Sequence, residues 1–155
     1  MTTAGGTSPS YQVVVNQLEP GFLAPASFMV GGTQYVVALF SDGTYVLPTG
    51  AIPGLTSRPA NPGETIVLFG LGFGPVTPNV PAGQLAEQST SLTTNFTASI
   101  GGVATVAPYA GLAPGFAGLY QFNIVVPQVP AGNAVPFTFT LGGTAGTQTL
   151  YLAVQ

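Results

Sequence analysis

The chain has 155 residues, 46% of them apolar, yet only one basic and four acidic side chains, for a net charge of −3. It contains no histidine, cysteine or lysine, which excludes a Ser-His-Asp triad, a thiolate nucleophile, a Schiff-base lysine and any His- or Cys-based metal site. The single arginine, Arg58, offers nucleic-acid phosphates and anionic lipids no basic patch, so neither partner is expected.

Met1 to Gly6 lacks the basic region and apolar core of a signal peptide, so the chain reads either as a mature fragment or as a cytoplasmic protein. The first β-branched run is Tyr11 to Val15, followed by Thr33 to Phe40 and Thr44 to Leu47. Asp42-Gly43 between the last two is a strong hairpin signal, because Gly accepts the positive φ of a tight turn. Further strands are predicted at Thr65 to Phe69, Thr93 to Ile100, Ala104 to Tyr109, Leu119 to Val126, Phe137 to Leu141 and Gln148 to Val154. Gly101-Gly102 marks a second hairpin, and only Pro81 to Ser91 has a composition suited to a helical turn, with a loop as the equal alternative.

The alternation of Phe with Thr in TNFTASI and FTFTL is the period of strands with one buried and one wet face. It places Ile66, Leu68, Phe96, Ile100, Val106, Phe122, Ile124, Phe137, Phe139 and Leu150 in the core. A two-sheet sandwich follows. The uncharged stretch from Ala107 to Pro127 is no membrane helix, since Pro108, Pro114, Gly111, Gly115 and Gly118 interrupt it. The strands are also shorter than a membrane barrel requires.

Three constellations have candidate chemistry. Gly70, Gly72 and Gly74 follow a strand as in a dinucleotide-binding turn, but Pro75, Pro78 and Pro81 take the place of the required helix, so a strand bend is expected. Glu19, Asp42, Glu64 and Glu87 are scattered, without the dense spacing of a calcium loop, and Asp42 and Glu64 are better explained by turns. Asn95-Phe96-Thr97 is a formal glycosylation sequon inside a predicted strand and is assigned no function. No catalytic, cofactor-binding or metal-binding residue is assigned.

The segments PANPGETIVLFGLGFGPVTPNVPAGQ and ASIGGVATVAPYAGLAPGFAGLYQFNIVVPQVPAGNAVPFTFTLGG resemble an uncharacterised C-terminal domain of long secreted acidobacterial proteins, the Solibacter-type C-terminal domain. The likeness rests on the corner at Pro62 to Pro75, the IGG hairpin at Ile100 to Gly102, the segment Tyr109 to Pro127 and the closing Gly-Gly, and it covers Pro59 to Gln155. Pro20 to Phe22 is similar to the family's inter-module junction. The resemblance implies an all-β, immunoglobulin-like β-sandwich, an extracellular or cell-surface setting, and no catalytic residues. Residues 58–155 are then the sandwich, and residues 1–57 an N-terminal extension with a strand at about 11–16 and a β-hairpin at about 33–47.

GGTSPSYQVVVNQ at Gly5 to Gln17 is similar to GGTAGTQTLYLAVQ at Gly142 to Gln155. Both then read as terminal strands of modules, and the first must find a sheet. The expected function is a non-catalytic structural or adhesive module, self-assembling into filaments through strand addition by Tyr11, Val13, Val14 and Val15. Its expected partners are other proteins or further copies of itself, and the alternative is a carbohydrate-binding module with Tyr109 and Tyr120 as stacking rings and a polysaccharide as partner.

Overall fold

The computed structural model describes residues 2–155. Among them the protein is all-β, with a single 3-10 turn at Ala26–Phe28 and no α-helix. In chain order the strands are β1 (Thr2–Thr3), β2 (Gly6–Thr7), β3 (Gly21–Phe22), β4 (Met29–Val30), β5 (Thr33–Gln34) and β6 (Ala38–Leu39). There follow β7 (Tyr45–Val46), β8 (Ser57–Arg58), β9 (Thr65–Leu71), β10 (Val76–Thr77), β11 (Ser91–Leu92) and β12 (Phe96–Ile100). The last are β13 (Val103–Thr105), β14 (Tyr109–Leu112), β15 (Tyr120–Val125), β16 (Gly132–Leu141), β17 (Thr144–Ala145) and β18 (Leu150–Val154). Residues 81–91 form a loop closed by the short β11, with no helical turn.

Two larger sheets share one core. The seven-stranded sheet runs β14-β15-β9-β6-β7-β8, with β3 also on β9, and the five-stranded sheet runs β13-β12-β16, with β17 and β18 on the far side of β16. The Asp42-Gly43 hairpin forms as expected but is shorter, with Leu39 opposite Tyr45. Its turn is held by the Thr44 N–H, which donates to Asp42 Oδ1 at 2.9 Å. Because β6 pairs with β9 while β7 pairs with β8, the hairpin belongs to the same sheet as β9, and position 57/58 falls inside β8.

The centre of the core is a phenylalanine cluster. Phe22 meets Phe73, Phe122, Phe137 and Phe139 at ring-centroid distances of 5.1, 4.9, 5.1 and 5.0 Å. Strand alternation correctly placed Ile66, Leu68, Ile100, Phe122, Ile124, Phe137, Phe139 and Leu150 inside. Phe96 is only half-buried, and Val106 is exposed, at 67%. The reason for the second error is that the run predicted from Ala104 to Tyr109 is two strands in different sheets. The chain leaves β13 after Thr105 and crosses to β14, so Val106 belongs to neither ladder. Its carbonyl instead accepts from the Val125 N–H at 2.9 Å.

The outer face of the five-stranded sheet carries hydroxyls in place of charges. Thr97 pairs with Thr140, and Ser99 with Thr138, each through oxygens 2.7 Å apart across β12 and β16. The outer edge of β18 is covered by its own chain. Val36 N–H donates to the Tyr151 carbonyl at 3.2 Å, and Ala60 N–H to the Ala153 carbonyl at 2.9 Å.

The only cation has a structural place. The Arg58 guanidinium lies 3.6 Å above the Phe40 ring and grips Glu64 through two bonds of 2.9 and 2.8 Å. Glu64 also accepts from the Asn61 N–H at 2.7 Å. The Arg58 hydrogen bonds lower the Glu64 pKa from 4.5 to about 2. A folded value below the unfolded one means that the stabilisation is complete above the unfolded pKa and is lost as pH falls through the folded one. Glu64→Gln should therefore lower the unfolding free energy by no more than about 1 kcal/mol at neutral pH, the pair being about a third exposed. In thermal melts the gap between the two proteins should close as pH falls from 4.5 to about 2. A gap that persists unchanged below that range would remove the ion pair as its cause.

Candidate interaction sites: an exposed apolar segment and the Tyr109 groove

The strand expected at about 11–16 is not formed. Residues 8–16 belong to no ladder, and Tyr11, Val13, Val14 and Val15 are 88%, 71%, 89% and 87% exposed. The sequence has strand propensity there, but propensity alone does not satisfy a strand's N–H and C=O groups, and a partner strand must supply the other half of the ladder. The similar C-terminal stretch has that partner: in β18, Leu150, Leu152 and Val154 are buried against β16 and the core.

The segment emerges from a fixed root. Glu19 N–H donates to the Gly72 carbonyl at 3.0 Å, and Asn16 Nδ2 donates to Glu19 Oε2 at 2.8 Å. Gly72 and Gly74 make room for this docking, while Gly70 makes room for Phe73 and for the Gly21 carbonyl of β3. A Cβ on Gly72 would lie 2.7 Å from the Glu19 carbonyl carbon and closer still to its oxygen, and one on Gly74 would overlap Leu18. Gly72 therefore receives the protein's own backbone, and Gly74 a leucine side chain, where a nucleotide-binding turn would receive phosphate.

The two candidate stacking tyrosines part company. Tyr120 is buried, its ring 5.6 Å from that of Phe73 and its hydroxyl donating to the Gly74 carbonyl. Burial raises its pKa, which keeps the phenol a neutral donor. It lines a groove of about 290 Å³ beside Gly74 and Leu112 but is only 9% exposed, which leaves little of the ring open for a sugar to stack on. Tyr109 is half-buried at the rim of a groove of about 470 Å³ and donates its hydroxyl to the Leu112 carbonyl at 2.5 Å.

That groove lies between two stretches, Ser91 to Phe96 and Ala107 to Ala110. Leu92, Phe96, Ala107 and Ala110 form its apolar part and pack against the core while remaining partly accessible. It contains no carboxylate and no arginine. A larger groove, about 620 Å³, is lined by the 79–88 loop and includes Glu87. No group of three or more Asp and Glu residues that would suit a metal ion occurs among the described residues. Residue type singles out Tyr11 to Val15 and Tyr109, and the Phe/Thr alternation places Phe96 inside, but nothing in the sequence marks Ala110 or the partial exposure of Phe96 at this groove.

No family model matches the chain, and no curated protein or solved structure matches it. No helix among the described residues is long and apolar enough to cross a membrane.

Proposed function

We infer that this protein is an immunoglobulin-like β-sandwich that serves, without catalysis, as a structural or adhesive module at the cell surface or outside the cell, and that it associates with itself through Tyr11 to Asn16. The observation that carries this reading is the contrast between a core closed around the phenylalanine cluster and an alternating apolar segment left 71–89% exposed at its large side chains. A run of this kind invites pairing with another sheet. The almost uncharged surface supports the reading, since net charge is what normally keeps such edges apart. The carboxylates support it too: Asp42 holds a turn, Glu64 holds Arg58 and Glu19 holds Asn16, each by itself. The extracellular setting and the immunoglobulin-like assignment rest on the resemblance of Pro59 to Gln155 to the secreted acidobacterial domain.

Light scattering and negative-stain electron microscopy test the reading. The full chain should assemble as its concentration rises, whereas deletion of residues 1–17 should leave folded monomers. Val13→Glu should weaken assembly more than about a hundredfold, because burial of an unpaired carboxylate costs several kcal/mol. A full-length chain that stays monomeric at high concentration, or a deletion that leaves assembly intact, would sink it. The second reading, a polysaccharide-binding module, is favoured by the position of Tyr109 on an uncharged groove, and a glycan array tests it.

A further inference from the structure

We propose that the groove between Ser91–Phe96 and Ala107–Ala110 receives Tyr11 to Asn16 of a second copy of this chain. The proposal rests on the self-association inferred above and assigns it an acceptor. The first support is incomplete burial. The Phe96 ring lies 4.5 Å from that of Phe122 and belongs to the central cluster, yet it remains partly accessible, and Leu92, Ala107 and Ala110 share that condition along the same groove. Apolar groups from a partner would complete the cover on that side of the core.

The second support is strand geometry. β14 is the terminal strand of its sheet and pairs only with β15 among the named strands. Thr90 covers one half of its outer edge: the Leu112 N–H donates to Thr90 Oγ1 at 2.8 Å, and the Thr90 carbonyl lies against Gly111. The Tyr109–Ala110 half faces the groove. A six-residue extended segment reaches about 20 Å and places alternate side chains on one face. Tyr11, Val13 and Val15 then point towards Leu92, Phe96, Ala107 and Ala110, with Gln12, Val14 and Asn16 turned outward.

The third support is charge. Neither Tyr11 to Asn16 nor the groove lining contains a carboxylate or an arginine, whereas the grooves beside Glu19 and Glu87 would each confront the segment with a carboxylate to desolvate. In its own chain the segment lies clear of the groove, which none of its residues lines. Donor and acceptor are different surfaces, so the contact is heterologous and repeats from copy to copy.

The absence of native cysteine makes disulfide trapping a clean test. Val13→Cys protein mixed with Ala110→Cys protein under mild oxidation should give a covalent heterodimer about tenfold above the yield with Ala104→Cys, whose site is exposed on the neighbouring edge. Equal yields at Ala104 and Ala110 overturn the acceptor. So does an intrachain disulfide at high dilution in the Val13→Cys/Ala110→Cys double variant, since the occupant is then the chain's own segment. If Val13→Glu abolishes assembly but Ala110→Cys traps nothing, strand addition survives and this groove is eliminated. If Val13→Glu leaves assembly unchanged, the self-association reading itself fails. A monomeric chain that retains a soluble β-glucan hexasaccharide, and loses it in Tyr109→Ala, gives the groove to a sugar and overturns the proposal.

Discussion

Replacing Phe22 with alanine is expected to lower the unfolding free energy by about 3–5 kcal/mol, the cost of a large core aromatic lost with partial collapse of its cavity. Phe22 is 3% exposed, and its ring meets the rings of Phe73, Phe122, Phe137 and Phe139 within 5.1 Å. Its two-residue strand is paired with β9, Phe22 lying opposite Gly70, and Leu23 N–H donates to the Phe69 carbonyl at 2.8 Å. Gln148 holds it from the other side: its Oε1 accepts from the Phe22 N–H at 2.7 Å and its Nε2 donates to the Phe22 carbonyl at 2.9 Å. Denaturant unfolding of the variant against the parent measures the loss. A change below about 1 kcal/mol, the level of a surface substitution, would mean that residues 20–24 can detach and that the core closes without them.

Gly72→Ala should be nearly as damaging, by about 2–4 kcal/mol, because two effects add at one position. The residue has φ +76°, which L side chains rarely adopt, and the new methyl would overlap the Glu19 carbonyl group. The 17–21 stretch must then shift, which breaks the Glu19 N–H bond to the Gly72 carbonyl and loosens the root of the exposed segment. Gly63→Ala separates the two effects. Gly63 has φ +86° with open space around its missing Cβ, so its replacement should cost only about 1 kcal/mol. Equal losses at the two positions would show that backbone strain alone sets the cost.

These residues also mark what a sequence reader could and could not see. The strands β12, β15 and β16 were legible because polar and apolar residues alternate along them, and the period of two identifies the inward side, whereas β9 and β18 were legible as short apolar runs closed by turn residues. Phe22 and Phe73 lie in Pro-Gly-Phe and Gly-Phe-Gly contexts with no such period, and only tertiary packing reveals that they sit at the centre. The Ala104–Tyr109 run misled because composition does not register a change of sheet. Tyr11 to Val15 was legible as a strand-forming run in search of a sheet, but the edge that would take it was not, since pairing depends on what edges the rest of the fold leaves open. For the candidate site, Tyr109 stood out by its residue type. Its groove did not, because the groove is built from the offset between two sheets.

The hydroxyl pairs Thr97–Thr140 and Ser99–Thr138 let a whole sheet face meet water without counter-ions. Dissolved electrolyte acts on a protein surface chiefly by screening charges, and this face has none to screen. Dilute and briny media should look alike to it. Solutes that compete for water itself, such as sulfate or urea, remain the external agents able to shift the balance between single molecules and joined ones.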